Sequence, residues 1–172
     1  ARVAAGRPRT SAVAGGFAAR TLGAASMTTP AARVRTGWQP LMAGVSFSPF
    51  PHSYRYGWSE DDTVDFCLRE LDHVLMTQSA PSDTAAMIIQ PMQGEHGYYP
   101  ATKRFMQGLR ERCDQHCILL LADEIQAGFG RTGRFWSQEH FAVQPDMLLP
   151  ATGLARAYPL SAVAHSRALT AS

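Results

Sequence analysis

Two adjacent carboxylates, Asp123 and Glu124, follow directly on the apolar run CILLLA at 117–122. A short apolar run that ends so abruptly reads as a buried strand delivering carboxylates at its C-terminal end, where open α/β sheets hold ligands. A second polar cluster, Gln90 to Glu95, follows another apolar run, TAAMIIQ at 84–90. If the two runs are neighbouring parallel strands, both clusters face one crevice, a site-like arrangement. The chain has a single lysine, Lys103, and a close trio of Cys113, His116 and Cys117. A zinc site needs a fourth ligand at recognisable spacing, and none follows, so no metal site is expected.

The elements that must position these groups are legible in the periodicity. Val64, Cys67, Leu68, Leu71, Val74 and Leu75 recur at three- and four-residue steps, which predicts an amphipathic helix over 60–78. Ser59, with Asp62 three residues on, is a plausible cap. Phe105, Leu109 and Cys113 predict a second helix over roughly 102–116. It lies between the two apolar runs, so 84–122 reads as a strand, helix, strand unit with parallel strands, Cys117 opening the second. Weaker strand signals fall at 10–15, near Val45, at 146–149 and at 160–164, and 37–56 reads as a Pro-rich loop.

Composition bounds the class. At 172 residues and 45% apolar, the chain suits one globular α/β core. No apolar run approaches the eighteen or so residues of a membrane helix, so no membrane partner is expected. Residues 1–59 carry seven arginines and no acidic residue. Such a start resembles a mitochondrial targeting segment, but its basic character runs past the usual length and it begins with Ala, which fits a piece of a longer chain better. The arginines form no helical stripe, so no nucleic-acid partner is expected either. Three cysteines without framework spacing suit a reducing compartment, leaving cytosol and mitochondrion both open.

Two familiar motifs are matched only in part. ILLLADE resembles the magnesium-binding strand of P-loop ATPases, but no phosphate-cradling glycine loop with its lysine accompanies it. GFGRTG at 128–133 matches the glycine pattern of dinucleotide-binding folds. It sits five residues beyond the strand's last apolar position and lacks the later acidic partner, so its glycines read as permitting a tight loop.

A wider string is specific. LLLADEIQAGFGRTGRFWSQEHFAVQPD, with QPMQGEHGYYP at 90–100 and the connection FMQGLRERCDQHCILL, closely resembles the class III aminotransferases over residues 7–165. These are pyridoxal-phosphate enzymes, homodimeric, that move an amino group from an amine or ω-amino acid to a 2-oxo acid. The resemblance implies the central part of their large domain, a mainly parallel sheet flanked by helices, without the phosphate-binding loop before it or the small domain after it. It further implies that Asp123 pairs with the pyridine nitrogen, Ile125 packs on one ring face, Gln126 bonds the ring hydroxyl and Phe17 stacks on the other face. Arg20 and Glu95 fall where some members steer substrate carboxylates or pair with an arginine.

The departures from that pattern concern the chemistry. Thr152 stands where the family's Schiff-base lysine belongs, and a hydroxyl can form no imine. Ala18 replaces a histidine or tryptophan, Gln90 a glutamate and Ala157 a frequent glycine. The alternative to an active transaminase is therefore an inactive copy that binds the cofactor weakly or pairs with an intact subunit. Lys103, placed early in the second helix, reads as a surface residue.

Overall fold

A computed structural model of the chain describes residues 1–155 and 158–169; Ala157 lies outside the described residues. Among the described residues there are eight strands: β1 Arg9–Val13, β2 Val45–Ser48, β3 Thr84–Ile89, β4 Met92–Gln93, β5 Tyr99–Pro100, β6 Leu119–Asp123, β7 Met147–Leu149 and β8 Ala164–His165. Six form one sheet in the order β2-β1-β3-β6-β7-β8. Every pairing in it is parallel except β7 with β8, which is antiparallel. β4 and β5 make a separate antiparallel ribbon.

Among the described residues five α-helices accompany the sheet: α1 Arg2–Ala5, α2 Leu22–Ser26, α3 Ser53–Tyr56, α4 Glu60–Thr77 and α5 Lys103–Gln115. The two long ones form where the apolar periodicity places them, because each has a side-chain cap and one apolar face. Ser59 Oγ accepts from the Asp62 N–H at 3.1 Å, and Thr102 Oγ1 from the Phe105 N–H at 3.1 Å. Each cap is worth about 1 kcal/mol. Leu71 on α4 and Phe105, Leu109 and Cys113 on α5 are fully buried against Met87, Ile89 and Leu120 of the central strands. Burying each large side chain contributes about 1.5–3 kcal/mol. Between the helices, Arg112 Nε and Nη2 meet the Asp72 carboxylate at 2.6 and 2.7 Å, a half-exposed pair that fixes orientation more than it stabilises.

Two sequence expectations are displaced. Cys117 does not open the second strand of the unit: with φ 51° it turns the chain out of α5, and β6 begins only at Leu119. Residues 160–163 carry no strand, since Ala164–His165 alone pairs back on β7. At the amino edge of the sheet, Arg7 Nη1 donates to the carbonyls of Pro81, Thr84, His116 and Cys117 at 3.0–3.2 Å. One guanidinium thereby ties the entry to β1 to the start of β3 and the carbonyl end of α5, where unpaired carbonyls carry partial negative charge.

Candidate functional site at the carboxyl edge of the sheet

β1, β3 and β6 run parallel, so the segments leaving them emerge on the same edge. Asp123 closes β6, 2% exposed, and its Oδ1 accepts from the Ile125 N–H at 3.1 Å. Burial pushes its carboxyl up to about 6; the Ile125 N–H and, less strongly, the Gln90 side chain oppose that rise, and neighbouring Glu124 adds to it. A carboxylate stripped of water with so little compensation favours a cationic or hydrogen-bond-donating partner.

Glu124, by contrast, takes no part. It points to the other side of the strand, wholly buried, and accepts from Ser137 N (3.0 Å), Ser137 Oγ (2.8 Å) and Gln138 N (2.8 Å). These bonds secure the start of the short 3₁₀ helix Ser137–Phe141 and so return the loop that begins at Ile125. Of the two carboxylates in the sequence, one serves the crevice and the other the scaffold.

The loops from β3 and β6 do meet. Gln126 Nε2 donates to Glu95 Oε1 at 3.0 Å. Gly94 makes this approach possible: a Cβ there would sit 1.7 Å from Gln126 Oε1, so no side chain fits. Arg20, exposed, places its guanidinium 5.7 Å from the Phe17 ring centroid.

Phe17 is held through its backbone. Its N–H donates to Gln90 Oε1 at 3.1 Å, and Gln90 Nε2 donates back to its carbonyl at 2.9 Å. On the far side of the segment, Thr28 Oγ1 accepts from Ala18 N at 2.9 Å and donates toward the Ala19 and Ala24 carbonyls. Ala19 between these clamps has φ 117°, a conformation that costs a residue with a Cβ about 1–3 kcal/mol. Gln90 and Thr28 were not visible as positioning groups in the sequence. The only signal was a Gln-Pro at the end of a buried strand.

Thr152 is exposed, after β7, and lines an open recess of about 660 Å³ with Gln126, Phe129 and Arg131. Gly153 packs there without a side chain, since a Cβ would meet the Phe129 Cβ at 2.6 Å. The cleft shared by Phe17, Gln90 and Asp123 is nearly filled, with about 10 Å³ of space. Room for a ring therefore lies on the Gln126 and Thr152 side. Ile125 is half-buried beside Asp123, and Lys103 is exposed at the first turn of α5. The glycine loop does turn tightly, with Phe129, Gly130 and Gly133 at φ 57°, 85° and 88°.

An open, mainly parallel sheet with a desolvated carboxylate and paired polar loops at its carboxyl edge defines the large-domain fold of pyridoxal-phosphate transferases. Solved structures agree: a taurine:2-oxoglutarate aminotransferase from Bifidobacterium kashiwanohense, in complex with PLP and glutamate, superposes with a TM-score of 0.90 at 29% identity. A PLP-bound amine transaminase from an uncultivated Pseudomonas species gives 0.92 at 28%. Each match covers 99% of this chain and 39% of the other. The family model Aminotransferase class-III matches residues 1–171, and the chain belongs to that family. It is 38% identical over 163 residues to the 5-aminovalerate aminotransferase DavT of Pseudomonas putida, covering 95% of this chain and 37% of that protein. To the 4-aminobutyrate aminotransferase GabT of Escherichia coli it is 40% identical over 131 residues, covering 72% and 30%. The chain thus spans about a third of the length of these curated relatives.

Proposed function

We propose that this chain is the central part of the large domain of a transaminase that moves an amino group from an amine or ω-amino acid to a 2-oxo acid, and that it seats the ring of pyridoxal phosphate. One observation carries the reading: the buried Asp123 carboxylate, held up to about 6 by desolvation, is poised for a protonated ring nitrogen. When bound, the cofactor supplies an electron sink for the substrate carbon. The residue types suit its ring, although Asp123 and Phe17 line a cleft with only about 10 Å³ of space, which a ring would have to open. Asp123 would hold the proton on the ring nitrogen, Gln126 would reach the ring hydroxyl from its bond with Glu95, and Ile125 and Phe17 would take the two ring faces. Arg20, stacked over Phe17, would steer the substrate carboxylate, and Glu95 would pair with an arginine at the substrate side.

The covalent anchor does not fit. Thr152 offers a hydroxyl where the chemistry needs an amine to bond the cofactor and then carry a proton, and no step is assigned to it. That one position favours a second reading, in which the chain holds the ring without a covalent bond and contributes no turnover. Self-association as a homodimer is in keeping with the exposed Tyr54, Trp58, Tyr98 and Phe135.

The two readings separate when the chain is mixed with pyridoxal phosphate, treated with borohydride and weighed. Trapped cofactor, mapped to Lys103, supports catalysis by an unexpected route. Saturable quenching of tryptophan fluorescence without a trapped adduct supports non-covalent seating. Neither signal would remove the cofactor from this chain altogether. Thr152→Lys adds the sharper arm: a visible absorbance band and a borohydride adduct at 152 are expected if the rest of the seat is intact.

A further inference from the structure

We infer that Gln90 is a positioning residue, one amide that clamps the Phe17 backbone and braces the Asp123 carboxylate, linking the placement of the aromatic segment to the carboxylate's charge. Gln90 is 7% exposed and follows directly on β3. Its Oε1 accepts from Phe17 N and its Nε2 donates to Phe17 O, a two-way pair that allows only one orientation of the amide. The second N–H of Nε2 is then free for a further acceptor. Asp123 lines the same nearly filled cleft, and contact with the Gln90 side chain favours its charged form. The other charged group bearing on Asp123 is Glu124, which disfavours that form.

In this chain an amide and a carboxylate are not equivalent at this place, although Gln90 stands where the family pattern has a glutamate. With glutamate at 90, an oxygen would face the Phe17 carbonyl oxygen, acceptor against acceptor, and a second negative charge would stand beside Asp123. The segment released would be the one strained at Ala19, φ 117°, so loss of the clamp frees it to relax. Linkage of this kind is reciprocal: what the carboxylate's charge does to the amide, the amide does to the charge. The bearing on cofactor seating rests on the function proposed above, whereas the linkage itself does not.

The test therefore uses the chain without cofactor. In a ¹³C and ¹⁵N NMR titration, the Gln90 side-chain amide and the Phe17 N–H should shift with the same midpoint as the Asp123 carboxyl carbon, near 6. Gln90→Glu should raise that midpoint by about one pH unit. Both Gln90→Glu and Gln90→Met, which keeps the length and removes the amide, should speed hydrogen exchange at the Phe17 N–H about tenfold or more. Flat Gln90 and Phe17 signals through the Asp123 midpoint overturn the inference even if neither variant folds. So does an Asp123 midpoint unmoved in a folded Gln90→Glu chain. Failure of the cofactor reading would look different, as intact linkage with no binding of pyridoxal phosphate.

Discussion

Replacing Asp123 with asparagine should make the protein more stable at neutral pH while weakening its hold on cofactor. The carboxyl, about 6 when folded against an ordinary 3.8, keeps its proton longer in the folded chain than in the unfolded one. Folding is therefore helped fully below pH 3.8, and that help is lost as pH rises through about 6. Each unit of the gap is worth about 1.4 kcal/mol, so the ionised carboxylate costs the fold roughly 3 kcal/mol at pH 7.5. Asparagine keeps an oxygen for the Ile125 N–H, now 3.1 Å from Asp123 Oδ1, and carries no charge to desolvate. Urea unfolding followed by circular dichroism, from pH 4 to 8, should show Asp123→Asn more stable than the parent by about 2–3 kcal/mol at pH 7.5. The difference should shrink toward zero near pH 4. Binding of pyridoxal phosphate should fall by about tenfold or more, since the partner for the ring nitrogen has lost its charge. A pH-independent difference, or a variant less stable at pH 7.5, would refute the desolvation argument.

Other substitutions test the scaffold around that carboxylate. Glu124→Gln turns a donor toward the Ser137 N–H and weakens the remaining bonds, so unfolding free energy should drop by about 2–4 kcal/mol, read by the same assay. Gly94→Ala should displace Gln126 from Glu95 and cost about 1–3 kcal/mol, with the Gln126 side-chain amide resonances moving as the direct sign. Arg7→Ala should cost about 1.5–3 kcal/mol in urea unfolding, and Arg7→Lys should restore only part of it, because its ammonium sits one bond nearer the backbone than the Nη1 that makes all four contacts.

What the sequence disclosed was local, and what it withheld was distant. α4 and α5 could be read because their caps and apolar faces lie within a few residues of one another. The meeting of Gln126 with Glu95 followed from strand parallelism alone. Glu124 could not be placed, because its partners at 137 and 138 return from a loop whose path no periodicity marks. The grip of Gln90 on Phe17 spans 73 positions and leaves no pattern. Cys117 was misplaced for a third reason: a left-handed turn at a non-glycine residue overrode an apolar run that otherwise reads as strand.

The division of labour between Asp123 and Glu124 makes the site sensitive to the length of β6 as well as to its composition. Successive side chains of a strand point to opposite faces, so deleting one residue between Leu119 and Ala122 would bring Glu124 into the place of Asp123 and Ile125 into that of Glu124. The crevice would then receive a side chain one methylene longer, and the Ser137 turn would face an isoleucine that can accept nothing from its donors. A frame-preserving single-codon change in this strand should therefore harm the ligand seat and the loop that frames it in one step, although every residue needed for both would still be present.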